Sequence, residues 1–326
     1  MTVTVTAAQA GRTVRQLLKQ DLAVSTALIN RLKRREGALL LNGRPVFTNA
    51  PLRAGDTLYV DLTDPAGAGS IPPIPMALDI RYEDGALLVL NKPAPLAVHP
   101  SSFAPEEPTL ANGLAHYLGP ASTFHPVNRL DRGTTGLMAA AKSRYVHNLL
   151  RRQLHTAGFY REYRAVAVGT PCPPAGRIDL PIARAEGSAI RRRVSPGGAA
   201  ALTEYETLCS RGGLTLLRLI PHTGRTHQLR VHMAAIGCPL LGDWLYGTET
   251  DLGRPALHAC LLRLRHPLTG ETLCLTADLP EDMARCFPDL RRIEPPPFEA
   301  GDIENHPVGE IPPPAGITVP TRGKGA

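Results

Sequence analysis

The densest cluster of charged and hydroxyl side chains is the string VNRLDRGTTGL, which covers residues 127–137. Asp131 lies between Arg129 and Arg132, and two nearby cations favour the ionised form of its carboxyl group. An ionised carboxylate suits nucleophilic or electrostatic work better than proton donation. The two glycines that follow let the backbone approach a substrate closely. The string therefore indicates a nucleophile at Asp131, with a surface Arg-Asp pair in a turn as the alternative.

A second polar string, PHTGRTHQLRVHMAAIGCPLLGDWLYG, covers residues 221–247. It begins with turn residues, continues with apolar residues at helical spacing, and the predicted helix ends at Gly237. Arg225 falls in the turn and Arg230 on the helix. The segment therefore adds two arginines to the candidate polar residues.

Three histidines in this segment, His222, His227 and His232, recur every five residues and raise the question of a metal site. Five residues rotate a side chain by about 140° around a helix, so the three rings do not converge as a pair spaced four apart does. The six cysteines are scattered and contain no CxxC pair, which excludes a zinc ribbon. A zinc-dependent hydrolase is therefore only a third hypothesis. We expect neither a metal nor a cofactor, since the sequence also has no P-loop and no dinucleotide fingerprint.

A sheet with helices packed against it must position these strings. Strand-like runs occur at LLVLNKP, LMAAAK, TEYETL and TLLRLIP. A further run, REYRAVAVG, alternates strictly and places Tyr163, Ala165 and Ala167 on one face. Ser143 is the predicted N-cap of a helix that Gly158 closes. The order of the elements favours an α+β fold with a mixed or antiparallel central sheet and flanking helices over a regular βαβ series.

The chain has 326 residues and a formal net charge of +7, and 43% of its residues are hydrophobic. This length suggests about two folded units, and the composition is typical of a globular protein. No apolar run approaches the roughly 18 residues of a membrane span, and the first residues lack a signal-peptide pattern. We therefore expect a cytoplasmic protein without membrane contact. The excess of basic over acidic residues is compatible with a nucleic acid as the partner.

Much of the positive charge is concentrated near the amino terminus. Residues 12–63 hold nine basic and four acidic side chains, which is a net charge of +5 (9 − 4). The segment predicts two short helices, the second capped by Ser25, and then strands around the hairpin signal Asn42-Gly43. A basic cluster at the end of the second helix consists of Arg31, Lys33, Arg34 and Arg35. This cluster is either an RNA-binding patch or a solvated helix end.

Two proline-rich stretches divide the chain. The first, PAGAGSIPPIP, has too few large apolar residues to pack and is typical of a linker. The second, at the carboxyl-terminal end, predicts a disordered tail. The predicted organisation is a basic module over 1–64, a linker over 65–78, a main domain over 79–293 and a tail over 294–326.

Two known families share these patterns. The basic segment resembles the small alpha-L RNA-binding module of a ribosomal small-subunit protein and of many RNA-modifying enzymes, through the pattern "RLK…G.LLLNGRPV…L..GD.L.V". The main domain is similar to the RluA family of RNA pseudouridine synthases. The strings that carry this similarity occur in order as LLVLNKPAPLAVHP, VNRLDRGTTGL, EYRAVAVG, PHTGRTHQLRVHMAAIGCPLLGDWLYG and ALHACLLRLRHPLTGE.

The resemblance implies an isomerase that converts uridine to pseudouridine in structured RNA, with base flipping and without a cofactor. It implies that Asp131 is the nucleophile, that Tyr163 contacts the target uracil and that Arg230 pairs with Asp131. It also implies that Arg129 helps to displace the target base. The wider set of expected RNA contacts is Arg129, Arg132, Arg225, Arg31, Lys33, Arg34 and Arg35. Ribosomal RNA is the favoured substrate, transfer RNA is the alternative, and the expected state is a monomer.

One position departs from the family pattern. The family usually has HRLD, whereas this chain has Asn128 before Arg129. Asparagine donates hydrogen bonds but does not titrate near neutral pH. An alternative hypothesis is therefore a non-catalytic RNA-binding or ribosome-assembly protein on the same fold.

Overall fold

The computed structural model describes residues 1–64, 71–101, 104–119, 123–154, 156 and 158–295. Within these residues the chain forms one sheet of four strands, one of ten strands and a separate two-stranded ribbon. The first part of the predicted linker, 65–70, and the predicted tail beyond Pro295 lie outside the described residues.

Residues 1–64, here called the amino-terminal module, contain two short helices and a four-stranded antiparallel sheet. The elements are β1 (Thr2–Thr4), α1 (Val14–Gln16) with the π-helical turn Leu17–Asp21, α2 (Thr26–Leu32), β2 (Leu39–Leu41), β3 (Arg44–Pro45) and β4 (Thr57–Val60). The Ser25 hydroxyl accepts a hydrogen bond from the Leu28 amide, so the predicted cap of α2 is confirmed. Asn42 and Gly43 have φ values of 51° and 78°, as a two-residue hairpin turn requires.

The large sheet is mixed, which confirms the predicted α+β architecture. Its strands are β5 (Ile80–Glu83), β6 (Leu87–Lys92), β7 (His125–Pro126), β8 (Thr135–Ala141), β9 (Phe159–Val168), β10 (Ala175–Asp179), β13 (Leu202–Arg211), β14 (Leu214–Pro221), β15 (Leu257–Arg265) and β16 (Thr272–Thr276). The ribbon is formed by β11 (Ile182–Arg184) and β12 (Arg192–Val194). The strand order is β10-β13-β14-β9-β15-β8-β6-β5, with β7 paired to β8 and β16 to β15. Strands β8 and β15 run parallel, while the other pairs are antiparallel.

Helices cover both faces of this sheet. They are α3 (Leu110–Leu118), α4 (Arg144–Gln153), α5 (Gln228–Ala235) and α6 (Glu281–Ala284). Side chains alternate along β6, so that Leu87 and Val89 belong to one apolar cluster and Leu88 and Leu90 to another. The first cluster contains residues of α4 and of the amino-terminal module, and the second contains residues of α3 and α5. The sheet is thus buried on both faces, and elements packed on each face support the loops that connect its strands.

The observed helix ends agree only in part with those predicted from the sequence. Ser143 caps α4 as predicted, because its hydroxyl accepts a hydrogen bond from the Val146 amide. The predicted end at Gly158 is wrong, since α4 ends at Gln153. The amide and the hydroxyl of Thr156 both donate to the Gln153 carbonyl, which closes the chain into a turn before the glycine is reached. The predicted end of α5 is confirmed, because Gly237 has a φ of 78° and its amide donates to the Ala234 carbonyl.

Candidate active site

A cleft of about 810 Å³ opens between the loop that follows β7, strand β9 and the turn before α5. It brings together all six candidate residues that the sequence indicated in the main domain. These lining residues are Arg129, Asp131, Arg132, Tyr163, Arg225 and Arg230. The four basic residues of the amino-terminal module do not line this cleft.

Asp131 lies in the loop between β7 and β8. The loop is turned tightly there, since the Thr134 amide donates to the Asp131 carbonyl at 3.0 Å. The carboxylate itself is 28% exposed, so it is accessible from the cleft. Gly136 follows with a φ of 112°, and a Cβ at this position would collide with the backbone of Ala259 on β15. The second glycine therefore serves the close pairing of β8 with β15, not a contact with substrate.

Asn128 has a defined structural role in the same loop. Its side chain is buried, its Oδ1 accepts from the Ala139 amide at 2.9 Å, and its Nδ2 donates to the Leu137 carbonyl at 3.3 Å. One acceptor and one donor of the amide thus tie the loop to β8. This role needs no titrating group, so the departure from HRLD gives no reason to infer loss of activity.

Arg230 is held mainly by a carboxylate that the sequence reasoning missed. Its Nε and Nη2 donate to Asp243 at 2.8 and 2.7 Å, while its Nη1 lies 3.7 Å from Asp131 Oδ2. Burial alone would lower the pKa of Arg230, but Asp243 raises it, and the guanidinium stays charged. Asp243 is fully buried and also accepts from the amides of Leu245 and Tyr246. The bidentate pair fixes the direction in which Arg230 faces Asp131.

His227 also faces the carboxylate. Its Nε2 lies 4.0 Å from Asp131 Oδ2, and its Nδ1 lies 2.9 Å from the Tyr246 hydroxyl. The Tyr246 hydroxyl in turn accepts from the Arg192 amide of the ribbon. Burial lowers the pKa of His227, and Asp131 opposes this shift. With a φ of 58°, His227 adopts a left-handed backbone that is uncommon outside glycine, a conformation found often at functional sites.

Tyr163 forms an aromatic wall of the cleft. It lies on β9 and belongs to the apolar cluster beneath the site together with Ala165 and Ala167, as the alternation predicts. Its side chain is 6% exposed, and burial raises its pKa. The hydroxyl therefore stays protonated at neutral pH, and the ring offers a fixed surface on which a base can stack.

Lys92, at the end of β6, is a second residue that the sequence reasoning missed. It is fully buried, and its Nζ donates to the carbonyls of Pro93, Leu96 and Arg132 at 2.8, 2.8 and 3.3 Å. Burial lowers its pKa to about 7, while the nearby Asp131 raises it. Because one of the three carbonyls belongs to the loop of Asp131, Lys92 ties that loop to the β6 end of the sheet. The LNKP string contains the lysine but gives no sign of its burial.

The remaining arginines of the cleft differ in what they contact. Arg129 and Arg225 are exposed, and Arg225 Nε donates to the Ala200 carbonyl. Arg132 pairs with Glu107 on the outside of the loop. The sequence places Asp131 between Arg129 and Arg132, but in the structure Arg132 pairs with Glu107 instead.

The basic cluster of the amino-terminal module divides into two kinds of side chain. Arg31 contacts Asp64 and Arg35 contacts Asp61, so part of the predicted positive charge is compensated within the chain. Lys33 and Arg34 are exposed, and they line a groove of about 850 Å³ that also contains Phe47, which is 84% exposed. The predicted patch is therefore smaller than the cluster of four.

The three regularly spaced histidines lie in different surroundings. His222 is near Glu204, His227 faces Asp131, and His232 is buried between Thr203 and the Leu180 carbonyl. Among the described residues, no group of three or more histidine, cysteine or acidic side chains is arranged to hold a metal ion. None of the described helices has the length and apolar content that a bilayer crossing demands.

Family models match two parts of the chain. Residues 86–235 match the RNA pseudouridylate synthase family, and residues 1–58 match the RluD ribosomal pseudouridine synthase N-terminal domain. A solved structure, human RNA pseudouridylate synthase domain containing 4, is similar with a TM-score of 0.51 and 29% identity. This similarity covers 67% of this chain and 94% of the human one.

Curated relatives extend the similarity over most of the chain. The uncharacterized RNA pseudouridine synthase YjbO of Bacillus subtilis (strain 168) is 39% identical over 269 residues, which are 81% of this chain and 95% of YjbO. The ribosomal large subunit pseudouridine synthase D of Vibrio parahaemolyticus is 36% identical over 303 residues, which are 85% of this chain and 91% of that protein. Together with the matched models and the ordered motifs around the cleft, these relatives show that the chain belongs to the RluA-type family of RNA pseudouridine synthases.

Proposed function

We propose that this enzyme modifies ribosomal RNA, that Asp131 is its nucleophile and that the target uridine is flipped into the cleft. The observation that supports this most is an accessible carboxylate, Asp131, facing Arg230 in a cleft whose wall is the ring of Tyr163. The relatives named ribosomal large subunit pseudouridine synthase D favour ribosomal RNA, with transfer RNA as the alternative. In this proposal residues 79–293 carry the reaction, residues 1–64 bind RNA and residues 65–78 link them.

The reaction is an isomerisation and balances without a co-reactant. The bond from uracil N1 to the sugar C1′ breaks, a bond from C5 to C1′ forms, C5 loses a proton and N1 gains one. Asp131 acts either by adding to C6 of the base or by removing a proton at the sugar to give a glycal intermediate. Both routes use the carboxylate of Asp131, and the Arg230 guanidinium lies 3.7 Å from it.

The position of Asp131 inside the cleft supports the proposed base flipping. A uridine in a folded RNA cannot bring its glycosidic bond to this carboxylate unless it leaves the stack, which costs a few kcal/mol. Stacking on Tyr163 recovers part of that cost. Arg129 is exposed on the cleft lining, and its planar guanidinium is suited to fill the vacated place in the RNA.

The direct test is Asp131→Asn in the full-length protein, incubated with unmodified RNA from cells that lack the gene. We expect single-turnover pseudouridine formation to fall by at least about a thousandfold, because a neutral amide can neither add to C6 nor remove the sugar proton. RNA affinity and thermal unfolding should stay near the wild-type values. Asp251→Asn, an exposed carboxylate outside the cleft, is the matched control. Full activity of Asp131→Asn would exclude this residue as the nucleophile.

A further inference from the structure

One carboxylate, Asp64, joins the amino-terminal module to the catalytic part of the chain. Arg31 of α2 donates to its Oδ1 at 3.3 Å. Its Oδ2 accepts from the Thr123 hydroxyl at 2.9 Å and from the Arg144 amide at 3.1 Å, and His125 Nε2 lies 2.7 Å away. Asp64 thus contacts α2, the first residue of α4 and strand β7, which leads into the loop of the nucleophile.

The carboxylate at this junction is buried, while its partners Arg31 and His125 are partly exposed. The Asp64 side chain is only 4% exposed. Burial raises its pKa, but hydrogen bonds from His125, Thr123 and the Arg144 amide outweigh this and hold the pKa of Asp64 below its usual value. A buried carboxylate is tolerated only where its partners are in place, so this arrangement defines one orientation of the module.

Apolar contacts continue the junction along α4. The Tyr145 hydroxyl is buried and donates to the Leu22 carbonyl of the module at 2.7 Å. A single apolar cluster contains side chains of the amino-terminal module and of α4. Its members include Leu17, Leu18 and Leu28 of the module and Val146, Leu149 and Leu150 of α4. Helix α4 therefore shares a buried cluster with the module, while it also packs against β7 and β8 of the large sheet.

The other end of α4 reaches the cleft. His147 and Arg151 line the cleft that holds Asp131. Arg144, at the junction, and Arg151 are seven residues apart, which is about 10 Å along the helix axis. Helix α4 and strand β7 thus connect the Asp64 junction to the cleft that holds Asp131. The groove with Lys33 and Arg34 lies on the module side of the same junction.

We infer that Asp64 is a positioning residue that fixes the distance between the RNA contacts of the module and Asp131, and thereby selects which uridine of a folded RNA is modified. This inference rests on the proposed function. The expected substrate is an RNA with a helical segment whose phosphates contact the module. Its target uridine lies at one fixed spacing from that segment. A module on a free tether would present a broad range of spacings and would not discriminate among nearby uridines.

The test compares two substrates with full-length Asp64→Ala and Tyr145→Phe. The first is unmodified long RNA from cells that lack the gene, in which every pseudouridine position is mapped. The second is a short single-stranded oligonucleotide that contains the target uridine but cannot reach the module.

With Asp64→Ala, turnover of the short substrate should stay within about twofold of wild type. On the long RNA, the fraction of product at the main position should fall by about tenfold, with new pseudouridine at neighbouring uridines. Tyr145→Phe should show a smaller change in the same direction.

Asp21→Ala is the matched control, because it breaks the Arg12-Asp21 ion pair inside the module and removes no side-chain contact of Asp64 or Tyr145. It should keep the wild-type product positions. An unchanged product pattern with Asp64→Ala, or with Tyr145→Phe if Asp64→Ala does not fold, would overturn the inference. Absence of pseudouridine with the wild-type protein on both substrates is a different outcome, since it would reject the proposed function itself.

Discussion

Asp243 does not contact Asp131 but holds the arginine that faces it. Two of the guanidinium nitrogens are bound to Asp243, and the third faces Asp131 at 3.7 Å. Two parallel hydrogen bonds to one carboxylate restrict the rotation of the arginine far more than a single hydrogen bond does. The direction in which Arg230 faces Asp131 therefore depends on a residue that touches neither Asp131 nor the substrate site directly.

Asp243→Asn should consequently slow the chemical step without weakening RNA binding. The amide keeps one acceptor but brings a donor against the guanidinium, which turns Arg230 away from Asp131. We expect the single-turnover rate to fall by about a hundredfold with an unchanged Kd for RNA. Glu206→Gln, which removes the partner of Arg218 on β14, should leave the rate as it is. A higher Kd with a normal rate would show that Asp243 serves RNA binding and not the direction of Arg230.

A buried histidine connects three elements of the sheet. His258 of β15 is hydrogen-bonded through Nδ1 to the Thr135 hydroxyl of β8 at 2.8 Å and through Nε2 to the Ala277 carbonyl after β16 at 3.1 Å. The carbonyl only accepts, so Nε2 carries the proton and Nδ1 accepts from the hydroxyl of Thr135. Burial disfavours a second proton on this ring and lowers the pKa of His258 to about 4.

This histidine makes folding stability depend on pH. The unfolded chain binds a proton at the ordinary histidine pKa of about 6.5, whereas the folded chain resists it down to about 4. The contribution of His258 to stability is therefore fully present above pH 6.5 and is lost as the pH drops to 4, by about 3 kcal/mol in total. In urea unfolding across this range, His258→Gln should show a smaller slope of stability against pH than wild type, while the exposed His116→Gln keeps the wild-type slope. An equal slope in wild type and His258→Gln would contradict this cause.

The sequence predicted the elements better than the connections between them. Periodicity and cap residues located β6, β8, β9, α4 and α5, because those signals are local. The end of α4 was wrong because a threonine hydroxyl closes the turn before the glycine. The burial of Lys92 was not predictable, since its three carbonyl partners belong to two separate segments of the chain. Asp243 lay in a recognised string, but its pairing with Arg230 depends on tertiary structure.

On the scale of the whole molecule, the concentration of charge near the amino terminus was visible in the sequence, whereas its distribution in space was not. Asp61 and Asp64 are separated from the cluster in sequence by a hairpin and a strand, yet they contact Arg35 and Arg31. Two of the four predicted RNA contacts are therefore engaged within the chain. Neutralising all four together would disturb the junction as well as any RNA surface, and the two effects would be mixed.

The double variant Lys33→Gln/Arg34→Gln separates these effects, because both side chains are exposed in the groove beside Phe47. If each contacts one phosphate, RNA affinity should fall, and the slope of log K against log salt should decrease by about 1 per residue, hence about 2 in total. Arg211→Gln/Arg285→Gln removes the same charge from exposed positions elsewhere, which pair with Asp289 and Glu281, and should leave the slope unchanged. Binding measured over a range of salt concentrations distinguishes a located contact from a general effect of net charge. An equal slope for both double variants would mean that the groove is a solvated surface and that the module contacts RNA elsewhere.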